Sequence, residues 1–121
     1  MTAMLMLAGA LLSQSAVLME PQTGSVEQVD VAYTALAQGQ NDAVIAKLHA
    51  NASDDPAALI NLGTAYARKG MRREAMACFT RAMTSDQRYE LQLADGSWMD
   101  SRRAARMAAA QLEQSSALAA R

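Results

Sequence analysis

Apolar positions along this chain fall into stretches of different spacing, and each spacing predicts a different element. Residues 4–19 (MLMLAGALLSQSAVLM) are uncharged, with Glu20 the first ionisable side chain. The densest part, residues 4–12, is shorter than the about 20 residues that a membrane-spanning helix needs. A short apolar run followed by small polar residues and Pro21 predicts a secretory signal peptide over residues 1–19. A buried first helix and an uncleaved N-terminal anchor are the alternatives. No cysteine follows the run, which excludes a lipid-modified cysteine there. Residues 20–25 (EPQTGS) read as a linker, since Pro and Gly interrupt regular structure.

From Val26 onward the period becomes helical. Val29, Tyr33, Leu36 and Ala37 recur at three- and four-residue spacing. Gly39 to Asp42 breaks that run, with Asn41 or Asp42 placed to cap a second helix carrying Ala43, Val44, Leu48 and Ala50 inward. Residues 26–53 are therefore a first helix pair. Asp54 or Asp55 then suits an N-cap and Pro56 a first helical turn. Leu59, Leu62, Gly63 and Tyr66 make one face, Gly70 stops the helix, and Ala75, Phe79, Ala82 and Met83 face inward from the next. Residues 54–88 form this second pair, whose helices are too short to stand alone. In the connecting segment 89–96, Tyr89, Leu91 and Leu93 alternate with Glu90 and Gln92 before an Asp95-Gly96 turn, which permits a short extended stretch without an assured partner. Ser97-Trp98-Met99-Asp100 resembles a capping box, predicting a last helix over 97–114 and a frayed tail over 115–121. Trp98 and Met99 would then cover the apolar edge of Met76, Phe79 and Met83.

Composition sharpens this to an all-α fold. The chain is 51% hydrophobic but only 4% aromatic. Ala and Met supply much of the apolar count, and Val and Ile are sparse, which disfavours a large sheet. A length of 121 residues allows one modest core. The net charge of −1 offers no basic stripe for nucleic acid. Arg68, Lys69, Arg72 and Arg73, and separately Arg102, Arg103 and Arg106, read as solvated helix surfaces.

The order Leu59, Leu62, Gly63, Tyr66, Ala75, Phe79, Ala82 resembles the tetratricopeptide repeat (TPR), a helix-turn-helix unit of about 34 residues. Leu59 stands where that consensus has Trp, and Gln87 where Pro is usual. Each match has a packing reason: Gly63 and Ala75 are small where two helices cross, and Tyr66 and Phe79 fill the flanks. Residues 26–53 look like a degenerate copy, with Ala43 and Ala50 at the small positions, Gly39 one place late and no Leu-Gly pair. The resemblance implies TPR-like antiparallel helix hairpins, one good repeat and one degenerate, closed by a C-terminal capping helix. With its INLGTAYARKG core and YELQLADGSWMDSR tail, the chain also looks like small secreted TPR proteins of Gram-negative bacteria.

In that family the first helix of each pair lines a concave binding face, which here implies Ala57, Ile60, Asn61, Thr64, Ala67 and Arg68. Asn61, Thr64 and Arg68 also share one helical face by spacing alone. Asn can bond a peptide backbone through both donor and acceptor, and Arg can clamp a carboxylate. The expected function is a non-catalytic scaffold or adaptor for a protein or peptide partner, periplasmic or secreted, with a self-associating module as the alternative. A cytoplasmic or N-terminally anchored location is the other possibility, and no stable membrane span is expected. Catalytic readings fare worse. His49 is the only histidine and has no placed partner, Cys78 is a lone thiol beside Phe79, and Asp54-Asp55 are capping residues. The glycines form no phosphate loop. Met71, Met76, Met83, Met99 and Met107 have core spacing rather than that of a copper site, so no cofactor or metal is expected.

Overall fold

The computed structural model describes residues 32–50 and 54–119. The stretches expected as a signal peptide (1–19) and a linker (20–25), and residues 26–31 and 51–53 of the expected first helix pair, lie outside the described residues. Those described are mostly helical: α1 (Tyr33–Ala37), α2 (Asn41–Leu48), α3 (Pro56–Arg68), α4 (Arg72–Thr84), β1 (Glu90–Gln92), β2 (Trp98–Asp100) and α5 (Ser101–Ala119). None of these helices is long and apolar enough to cross a membrane. The chain is all-α with packed helix pairs, α1 on α2 and α3 on α4, and a C-terminal helix laid against α3 and α4.

The second pair forms where its local signals place it. Asp55 is the N-cap of α3: its side chain accepts from the Ala58 N–H at 2.9 Å, and Pro56 occupies the first turn. At the other end Gly70 adopts φ +78°, a left-handed conformation that a side chain would resist. That turn lets the Gly70 N–H reach the Ala67 carbonyl at 3.0 Å and the Met71 N–H reach Tyr66 at 2.9 Å. Helix α4 then starts at once and returns antiparallel. At the crossing, Gly63 lies so near α4 that an added Cβ would fall 2.5 Å from the Phe79 ring and 3.1 Å from the Cys78 Cβ. Leu59, Leu62, Tyr66, Ala75, Phe79 and Ala82 are all buried there.

The first pair fits its predicted pattern less closely. Helix α2 has Gln40 as N-cap with no side-chain bond, so neither Asn41 nor Asp42 caps it. Val44 and Leu48 are buried as expected, but Ala43 and Ala50 are exposed, and Ile45 contributes to the core instead. Val44 and Leu48 are one turn apart, and this narrow stripe suffices for a helix of eight residues.

The C-terminal third differs most. Strand β2 occupies Trp98–Asp100, where the start of a helix was expected, and pairs antiparallel with β1 in the register Glu90 with Asp100, Leu91 with Met99 and Gln92 with Trp98. Asp95 makes the turn by accepting from the Ser97 N–H at 2.9 Å and the Ser97 hydroxyl at 2.6 Å. Leu91 points into the core while Glu90 is exposed, which is the alternation that the sequence displays. Trp98 is 45% exposed, whereas Met99, the other residue expected to cover α4, packs against the core. Most of the cover on α4 comes from α5, where Ala104, Ala105, Ala108, Ala109 and Leu112 are buried. Helix α5 begins at Ser101, where Asp100 accepts from the Arg103 N–H at 3.2 Å, and it continues to Ala119 through most of the expected tail.

Candidate functional site

The residues implied as a binding face sit on α3, and the structure places most of them inside the protein. Ala57, Ile60 and Asn61 are 0% exposed and Thr64 is 1% exposed. The cause is architectural. Helix α3 is enclosed by α1, α2, α4 and α5 together, so an unbroken run from Pro56 to Tyr66 is buried. A helix buried all round has no solvent face for a partner to touch. The open concave surface implied by the sequence is filled in this conformation. Thr64 satisfies its hydroxyl on its own helix, donating to the Ile60 carbonyl at 2.8 Å. Asn61 is also engaged in a polar interaction rather than offered to solvent.

Arg68 has a different role from the one expected. It is half-buried at the end of α3, and its Nη1 donates to the Leu36 carbonyl at 3.0 Å and, more weakly, to Asn41 Oδ1 at 3.4 Å. Burial lowers its pKa from the ordinary value, though a guanidinium stays charged at neutral pH. Arg68 thereby ties the end of α1 and the start of α2 to α3, beside an exposed Lys69–Asp42 ion pair at 2.7 Å. Arg68→Ala is expected to cost about 1–3 kcal/mol, because it removes a charge-assisted bond between helices, while the Leu36 carbonyl keeps only the local Gly39 N–H at 3.0 Å. Faster hydrogen exchange in α1 and α2 than in α4 would locate the effect; uniform acceleration would contradict it.

The remaining chemistry-bearing residues are dispersed. Cys78 is buried, and burial pushes its thiol up to about 11, so it stays protonated at neutral pH and is a poor nucleophile. His49 Nδ1 lies 3.0 Å from the Tyr66 hydroxyl, linking the end of α2 to α3. Asp54 pairs with Arg81 at 3.1 Å across an exposed surface. No group of three or more His, Cys, Asp or Glu residues suited to a metal occurs among the described residues. Met76, Met83 and Met99 pack against the core, whereas Met71 and Met107 are 38% and 40% exposed. A shallow depression lies on the outer face of α4, lined by Arg72, Arg73, Met76, Ala77 and Thr80.

The chain's three tyrosines, Tyr33, Tyr66 and Tyr89, all have raised phenol pKa values. Burial is the main cause for each, and it lifts Tyr33 to about 12. For Tyr89 the hydrogen bond to the Asp55 carboxylate adds to it. A raised folded-state value means that the folded form holds the proton more tightly. The resulting stability is complete below the ordinary tyrosine range near about 10 and is lost as pH rises beyond it. Tyrosinate absorbance is therefore expected to appear late and together with loss of helicity. A component titrating normally in folded protein would contradict this.

No protein-family model, curated protein or solved structure matches the chain.

Proposed function

We propose that the protein is a non-catalytic adaptor of TPR type that works in the cell envelope, periplasmic or secreted, and binds another protein or a peptide. The observation that carries this reading is the α3–α4 crossing, where Gly63 fits against Phe79 and the residues of the repeat-like pattern are buried together. The burial of Cys78 with its raised pKa argues against a thiol enzyme. Because α3 is enclosed, the partner meets exposed surface, and the basic and apolar strip of Arg72, Arg73, Met76 and Thr80 on α4 offers a shallow depression for it. Affinity capture with the full chain directed to the envelope tests this. A stoichiometric partner is expected, with capture reduced by Arg72→Glu combined with Arg73→Glu. Recovery of the chain alone would remove the adaptor reading. Undiminished capture by the double variant would remove α4 as the contact. Export predicts a mature chain that begins after about residue 19, which mass spectrometry of the periplasmic form would establish.

The second reading is self-association, favoured by the long exposed side of α5. Met107 and Leu118, 40% and 67% exposed, both lie on that helix.

A further inference from the structure

We propose that the outward face of α5 is a self-complementary contact for a second copy of this chain, with the two α5 helices running antiparallel about a two-fold axis at Ala110. This rests on the self-association reading and gives it a place and a geometry. Arg103, Arg106, Met107, Ala110, Glu113 and Gln114 are all exposed and recur at three- and four-residue spacing, so they form one stripe along the helix. The buried alanines at 104, 105, 108 and 109 occupy the opposite side. Ala110 is at the centre of the stripe, where its small side chain lets two backbones approach.

Charge selects the occupant and the direction. Arg106 lies four residues before Ala110, and Glu113 lies three residues after it on the same flank. They are seven residues apart, two turns, which is too far to pair within one helix. A two-fold axis perpendicular to the helices reverses their direction but keeps each residue on its own flank. Arg106 of one copy therefore meets Glu113 of the other, offset along the axis by one residue rise, about 1.5 Å. The symmetry repeats the ion pair on the far side of the axis. On the opposite flank Met107 meets Gln114 and gains cover for its exposed side chain. A parallel pair about a two-fold axis along the helices would exchange the flanks, setting Arg106 against Met107 and Glu113 against Gln114, and would form neither ion pair.

Sedimentation velocity of the full chain over a range of concentrations tests the proposal. A concentration-dependent dimer is expected, and it should weaken at high salt because the ion pairs are at a surface. Arg106→Glu alone and Glu113→Arg alone each bring like charges together and should raise the dissociation constant by at least about tenfold. Mixing the two single variants should restore association as a heterodimer, and combining both changes in one chain should restore a homodimer. Circular dichroism checks that all variants stay helical. A wild type that remains monomeric at every concentration would overturn the proposal, as would folded single variants that fail to recover when mixed. Capture of a foreign partner by the monomeric variants is scored separately, so failure of this interface is distinguishable from failure of the adaptor reading.

Discussion

Truncating Phe79 to Ala is expected to destabilise the protein by about 3–5 kcal/mol, the usual loss for a buried aromatic. Domains of this size are stable by only about 5–15 kcal/mol, so the variant should sit near its unfolding threshold. The ring is 2% exposed, and it occupies the place where α3 and α4 come closest, against Gly63. The reciprocal change, Gly63→Ala, should cost about 1–3 kcal/mol from overpacking despite a helix-propensity gain of about 1 kcal/mol. The new methyl would meet the ring at 2.5 and 2.8 Å and the Cys78 Cβ at 3.1 Å, so moving the ring alone does not clear the site. Because both changes act on one small volume, they should be strongly non-additive. Gly63→Ala should be much better tolerated once Phe79 has been truncated, since the cavity receives the methyl. Urea denaturation of the two single variants and the double variant measures this. Additive losses would show that the two residues do not share the crossing.

Asp55→Ala is the second large loss expected. The Asp55 carboxylate is 2% exposed and has two duties. One oxygen accepts from the Ala58 N–H at the start of α3, and the other accepts from the Tyr89 hydroxyl, which arrives from the chain entering β1. Losing the cap costs about 1 kcal/mol. Leaving the half-buried Tyr89 phenol without its acceptor adds about 1–3 kcal/mol. Tyr89→Phe removes the donor cleanly and should cost only about 1 kcal/mol, while a second change to Asp55→Ala in that background should cost little more than the cap. Equal effects of Asp55→Ala in the two backgrounds would mean that the phenol finds another partner.

The sequence was most informative where side chains carry local instructions. Asp55-Pro56 and Gly70 bound α3 as read, because capping and left-handed turns depend on neighbouring residues alone. The small and aromatic residues of the α3–α4 crossing are buried as their order implied. The polar residues of α3 misled for a physical reason. Asn61, Thr64 and Arg68 at helical spacing look like a solvated stripe, yet they serve inside the fold through long-range packing that periodicity does not encode. Thr64 was the one readable exception, since a threonine can bond the carbonyl four residues back. The capping signal near Ser97 was correct in kind and displaced in place. Asp100, the last residue of that motif, does serve the start of α5, and the residues before it became a strand because Leu91 and Met99 find each other across the turn. The alternation from Tyr89 and the Asp95-Gly96 turn signalled the first strand, but nothing in Trp98–Asp100 marked it as the partner, and the pairing left Trp98 outside.

The junction between β2 and α5 has no loop: the strand ends at Asp100 and the helix begins at Ser101. Ser101 is wholly buried, its N–H bonds the Tyr89 carbonyl at 2.9 Å, and its hydroxyl accepts from the Tyr89 N–H at 3.3 Å. Arg88 grips Asp100 at 2.8 Å, and Arg102 donates to the Ser85 carbonyl at 3.1 Å. With no slack at its root, and with Ala104, Ala105, Ala108, Ala109 and Leu112 seated in the core, the hairpin and the 19-residue helix are one mechanical piece, so that opening the hairpin disturbs the α3–α4 pair instead of being absorbed in a loop.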